Sequence, residues 1–123
     1  MYFKGDFIMT NLKTKIGKSN VETVKLGLGT NKVGGHNLFQ NLKDEDGYSV
    51  IEQALESGIS LLDTAFSYGY GRSEQIIGDV LKNYDREKVI LATKAAQDPD
   101  NNMQFNNSPE FLTRAVDNAL QRL

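Results

Sequence analysis

The sequence predicts an α/β fold built from parallel β/α units, and three observations predict it. Strand-like and helix-like segments alternate; the strand-like segments "ISLL" and "KVILATK" carry continuous apolar cores; and the units recur about every thirty residues. A (β/α) barrel and a doubly wound sheet both satisfy this pattern. The chain has 123 residues, 39% of them hydrophobic and 24% charged, which suffices for one packed domain.

Residues 1–11 show no clear period and are expected to form an unstructured lead, with Met9 an alternative start. Residues 12–123 are expected to fold. Alternation around Leu12–Ile16, a "GKSN" turn and the β-branched Val21, Thr23 and Val24 predict a hairpin that runs into a strand "VKLGLG". Val50, Ile51, Ala54 and Leu55 then form a helical stripe, with Asp44 or Asp46 as N-cap and Gly58 as the glycine just past the end. "ISLL" is the next strand. Ile76, Ile77, Val80 and Leu81 mark a second helix with Ser73 able to cap it. "KVILATK" is a further strand, "DPDNNMQFNN" a polar loop, and Ser108-Pro109 the cap and first turn of a third helix. Leu112, Ala115, Val116, Ala119, Leu120 and Leu123 give that helix one apolar face.

Composition excludes several functions. A net charge of -2 without a Lys/Arg cluster argues against nucleic-acid binding. Cysteine is absent, so there is no disulfide or thiolate metal site, and one histidine, His36, cannot build a multi-histidine zinc site, so no metal is expected. No apolar run approaches the roughly 18 residues of a membrane span. "MYFKGDFIM" lacks the long apolar centre of a signal peptide. A cytoplasmic protein is expected.

In β/α folds the C-terminal strand ends face the functional mouth. Two strands end in polar groups, Asp63 after "ISLL" and Lys94 in "VILATK". If these strands are neighbours, carboxylate and ammonium meet there, with Tyr68 on the following loop. A lysine beside a phenol lowers its pKa from about 10, which makes a usable general acid for protonating an oxygen. Asp63 would orient Lys94 and offset its desolvation. The same residues also read as a structural ion pair with a rim aromatic beside it.

"LLDTAFSYGYGRSEQIIGDVL" followed by "VILATK" resembles the aldo-keto reductases. That family carries an Asp-Thr-Ala-x-x-Tyr-Gly segment, a Gly-x-Ser-Glu-x-x-x-Gly segment and a Thr-Lys at the end of the next strand. Here these stand as Asp63-Thr64-Ala65, Tyr68-Gly69, Gly71 with Ser73-Glu74 and Gly78, and Thr93-Lys94. The resemblance runs from about Thr14 to Leu123, with the hairpin as a bottom cap and "LGLGT" as the first barrel strand. It implies a (β/α)8 barrel of TIM type, present here as the hairpin and about three β/α units, and an NADPH-dependent oxidoreductase that reduces aldehydes or ketones. It also implies catalytic roles for Asp63, Tyr68 and Lys94, with Tyr68 donating the proton, and cofactor contacts from Thr30, Asn31 and Asp63.

The resemblance further implies what to expect of a chain this short. The family's fourth catalytic residue, a histidine after the fourth strand, has no counterpart; His36 lies in the loop after the first strand and reads as a loop or rim residue. A full barrel takes about 250 residues. Three strands leave unpaired edges and an open apolar face, so self-association or a complementing C-terminal half is expected, and no measurable turnover from the isolated chain. The alternative is a non-catalytic, regulatory or partner-binding chain of the same fold.

Two glycine-rich stretches mislead. "GLGTNKVGG" has Lys32 where a dinucleotide fingerprint needs its third glycine, and no helix is expected directly after it. "GYGRSE" lacks the Gly-Lys-Ser/Thr end of a phosphate loop. Glu45, Asp46, Glu87 and Lys88 read as solvated charges.

Overall fold

A computed structural model describes residues 13–123; the expected lead, 1–11, lies outside them. The hairpin pairs β1 (Lys13–Lys15) antiparallel with β2 (Glu22–Val24), Thr14 opposite Thr23. Its turn is closed by Ile16 N–H to Val21 O at 3.0 Å, with Gly17 at φ 55. The expected continuous "VKLGLG" strand is interrupted at Lys25 and Leu26, and β3 covers Gly27–Gly29.

β3 pairs in parallel with β4 (Leu61–Asp63), and β4 with β5 (Ile90–Ala92), in the order β3-β4-β5. The register aligns Gly29, Asp63 and Ala92 at the C-terminal edge. No closed barrel forms among the described residues, and β3 and β5 are the sheet's edges. Two crossings link the strands. The first holds α1 (Asn31–Gly34) and α2 (Asp44–Glu56), the second α3 (Arg72–Leu81). The single-turn α1 corrects the expectation that no helix follows "GLGT".

The core gathers Val33, Ile51, Leu62, Ile76, Ile77, Val80, Leu81 and Val89. Each such side chain contributes about 1.5–3 kcal/mol of burial. Helix α3 buries its whole predicted stripe. On α2 the buried face is Gly47, Ile51 and Ala54, spaced i, i+4, i+7, so Val50 points outward instead. Asp44 and Asp46 do not cap α2. The N-cap is Lys43, and three acids in the first turn face the helix's positive end. Gly58 does follow the helix in the left-handed region, at φ 85.

Helix α4 (Pro109–Arg122) starts as its sequence indicates, Ser108 Oγ accepting from Phe111 N–H at 3.3 Å. It buries only Phe111 and Ala119 fully, and Leu112, Val116 and Leu120 of its apolar face are exposed. The expected polar loop before it is a small hairpin, β6 (Gln97–Asp98) with β7 (Gln104–Phe105). Buried Asp98 organises it, accepting from Asp100 N–H at 3.1 Å and Asn106 Nδ2 at 2.8 Å. A local side-chain acceptor thus supplies order that apolar periodicity does not signal. No helix among the described residues is long and apolar enough to cross a membrane.

Candidate active site at the strand ends

Parallel pairing of β4 and β5 brings Asp63 and Lys94 together. Lys94 Nζ donates to Asp63 Oδ1 at 2.6 Å and to Thr64 O at 2.9 Å. The pair is half-exposed, at 56% for Lys94 and 48% for Asp63, rather than buried. The ladder continues past both strands, with Thr64 N–H to Ala92 O at 2.8 Å and Phe66 N–H to Lys94 O at 3.0 Å. The loop after β4 is therefore strapped to the extension of β5, which holds Lys94 in place.

Tyr68 sits on that strapped loop. The Lys94 ammonium lies over its ring, 5.5 Å from the centroid. The lysine thus meets the phenol's face, while its hydrogen bonds go to Asp63 and Thr64. The loop turns sharply, with Gly69 at φ 72, Tyr70 at φ 52 and Gly71 at φ 95. At Gly69 a Cβ would stand 2.0 Å from Gly34 O, so only glycine fits.

Thr30 stands behind Asp63. It is fully enclosed, and its hydroxyl donates to Asp63 O at 3.0 Å. Ser73, expected as a helix cap, lies inside α3 and donates instead to Thr30 O at 3.0 Å, while Gly71 takes the cap position. Thr64 Oγ1 donates to Ser73 Oγ at 3.2 Å. This buried hydroxyl chain, Thr64 to Ser73 to Thr30 to the Asp63 carbonyl, ties the ends of β3 and β4 to α3. Asn31 is exposed at the start of α1. Beside it the sheet edge is open: nothing lies within 4 Å of the position a Cβ would take on Gly29, next to the half-exposed Asp63 carboxylate. The Asp63 carboxylate, an acceptor, stands half-exposed beside that opening. A cleft of about 210 Å³ is walled by Phe66, Ser67, Lys94 and Phe105.

A model of the Aldo/keto reductase family matches residues 25–123. The chain belongs to this family. It is 39% identical over 112 residues to the aldo-keto reductase YhdN of Bacillus subtilis (strain 168), covering 89% of this chain and 34% of that protein. It is 34% identical to the NADH-specific methylglyoxal reductase of Escherichia coli (strain K12), covering 90% and 38%. The holo form of an aldo-keto reductase from Bacillus halodurans superposes with a TM-score of 0.77 at 30% identity, covering 90% of this chain and 36% of that one. The chain therefore spans about a third of the length of these relatives, and its sheet is a portion of the (β/α)8 barrel type.

Around the predicted residues, this aldo-keto reductase chain carries two arrangements that its sequence did not disclose. Glu74, 1% exposed, accepts from Thr93 Oγ1 at 2.6 Å and from Arg122 Nε at 2.7 Å, which locks the residue before Lys94 to α3 and α4. Glu74 stood in the sequence only as part of the family segment, with nothing to indicate its partners. His36 is exposed and lies 2.7 Å from Asp44 Oδ1, while Arg72 Nε donates to Asp44 Oδ2 at 3.0 Å. The Arg72 guanidinium, and after it the His36 ring, hold the Asp44 carboxyl below the usual carboxylate range. His36 is thus tied to the start of α2. Among the described residues no group of three His, Asp or Glu is arranged to hold a metal.

Proposed function

We propose that these residues form the proton-donating part of a site that reduces aldehyde or ketone carbonyls to alcohols with NADPH. The observation that carries this is the Asp63–Lys94 pair at 2.6 Å with its ammonium over Tyr68, at the C-terminal ends of neighbouring parallel strands. Asp63 and Asn31 border the opening where the nicotinamide ring would lie, and Thr30 braces Asp63 from beneath. When bound, the nicotinamide supplies a hydride to the carbonyl carbon. Tyr68 Oη gives its proton to the carbonyl oxygen, its O–H bond breaking as the alcohol O–H forms. Lys94 counters the negative charge left on the phenol, and Asp63 keeps the lysine oriented. We place this chemistry in the cytoplasm, and we take NADPH as the reductant and a small carbonyl compound as the substrate. The name of the Escherichia coli relative specifies NADH, so both reductants belong in the assay.

The test replaces the matching segment of the Bacillus subtilis relative with residues 25–123 of this chain. The chimera is expected to oxidise NADPH when a short aldehyde is added, and Tyr68→Phe is expected to abolish this with the circular dichroism unchanged. Turnover that survives Tyr68→Phe would sink the reading. The 123-residue chain alone, with three strands of the sheet, is expected to show no turnover.

A second reading rests on α4. Leu112, Val116 and Leu120 are exposed there, and Phe105 is 81% exposed nearby in sequence. Such surface favours self-association or a complementing half-barrel. Sedimentation of the isolated chain as a monomer across the micromolar range would argue against self-association.

A further inference from the structure

Asn37 lies outside every motif described above, yet its side chain reaches the loop that carries Tyr68. Its Nδ2 donates to Ser67 O at 3.1 Å, and its Oδ1 accepts from Gly69 N–H at 2.7 Å. The two contacts fall on the residues immediately before and after Tyr68. A carboxamide offers a donor and an acceptor side by side, so one side chain clasps both peptide groups. We propose that Asn37 is a positioning residue that fixes the Tyr68 backbone, and with it the direction of the phenol. The importance of that direction rests on the reductase reading above; the clasp itself does not.

The loop needs such a clasp. Gly69 and Tyr70 both have positive φ, and Tyr70 is not glycine, so its conformation is held against an intrinsic cost. The backbone offers two further ties at Tyr68, its N–H to Ala65 O at 3.1 Å and Ser73 N–H to its carbonyl at 3.1 Å. Both are made within the same chain segment, to the preceding loop and to the first turn of α3. Asn37 supplies the tie from the opposite loop, which is itself anchored. His36 N–H donates to Gly34 O at 2.8 Å and Leu38 N–H to Gly35 O at 2.8 Å. Asp44 meets both His36, next to Asn37, and Arg72, at the start of α3. A second bridge therefore runs between the same two chain segments.

The experiment uses the full 123-residue chain, ¹⁵N-labelled and carrying ¹³C-tyrosine. In Asn37→Ala, amide exchange at Gly69 is expected to quicken at least about tenfold, the loss of one local hydrogen bond of about 1.4 kcal/mol. The Tyr68 ring signal is expected to shift, while the ring signals of Tyr48 and Tyr84 and the amides of Leu62 and Ile76 stay in place. Asn37→Asp keeps the acceptor and loses the donor, so Gly69 should remain protected while Tyr68 still shifts. An unmoved Tyr68 signal in both variants overturns the proposal. If the alanine variant unfolds, the aspartate variant decides. In the chimera, Asn37→Ala should lower kcat about tenfold with KM nearly unchanged, since misplacing an acid costs rate rather than affinity. Undiminished turnover in Tyr68→Phe would remove the reductase reading but leave the spectroscopic result to stand or fall separately.

Discussion

Arg122 Nε stands 2.7 Å from Glu74 Oε2 and joins the end of α4 to the first turn of α3 in a pair whose carboxylate is 1% exposed. Thr93 closes the other carboxylate oxygen at 2.6 Å. Removing one partner of such a pair strands the other charge out of water, at a cost of about 3–5 kcal/mol. Arg122→Ala is therefore expected to lower the urea unfolding midpoint sharply, and the double variant Arg122→Ala, Glu74→Leu to recover part of the loss. An Arg122→Ala chain as stable as the parent would show that the pair contributes nothing.

The Asp63–Lys94 pair should behave in the opposite way, although it is equally short. Both groups are about half exposed, and pairs in that setting contribute about 0–1 kcal/mol. Lys94→Met is expected to leave the unfolding midpoint nearly unchanged, yet to cut chimera kcat by a factor on the order of 10² or more. A large stability loss with intact turnover would turn this pair into scaffold and refute its proposed role.

The contrast between these two pairs separates what the sequence disclosed from what it did not. The meeting of Asp63 and Lys94 was legible because both end apolar strands and strand adjacency follows from β/α order, while the roles expected of them and of Tyr68 came from the family resemblance. Helices α3 and α4 were legible from apolar spacing, and the Ser108 cap from its Pro109 neighbour. Arg122 is 48 residues from Glu74, Ser73 is 43 from Thr30, and Asn37 is 32 from Gly69. No periodicity encodes such contacts; they appear only once the helices have packed. Ser73 illustrates the conflict, since its position suggested a cap but tertiary packing offered it the Thr30 carbonyl. Val50 faced outward because three small or apolar positions, Gly47, Ile51 and Ala54, already fill the face against the core.

Gly69 and Gly29 give a paired test of loop geometry. At Gly69, φ is 72 and an added Cβ would stand 2.0 Å from Gly34 O, so the backbone itself must move. At Gly29 the same Cβ meets nothing within 4 Å. Gly69→Ala is expected to destabilise the chain by about 2 kcal/mol or more, from left-handed strain plus the clash. Gly29→Ala is expected to stay within about 0.5 kcal/mol. Thermal melts of both variants decide this, and equal shifts would mean that the Tyr68 loop is not held against Gly34.

Asp44 sets an acid limit. Its carboxyl is depressed first by the Arg72 guanidinium and then by His36, so the folded chain releases this proton more readily than the unfolded one. Stability from this group is present above its unfolded pKa of about 3.9 and is lost as pH falls through the lower folded value. Asp79, depressed chiefly by Lys82, acts in the same window. Tyr48, raised by burial and then by its hydrogen bond to Asp79, acts at the other end, where stability is lost as pH climbs past about 10. Asp44→Asn should lower the urea midpoint at neutral pH and flatten its fall below about pH 4, because the variant has no proton to take up there. Urea midpoints measured from pH 2 to 7 test this. An acid limb as steep in Asp44→Asn as in the parent would mean that other carboxylates carry it and that the Arg72 contact does not hold the start of α2 in solution.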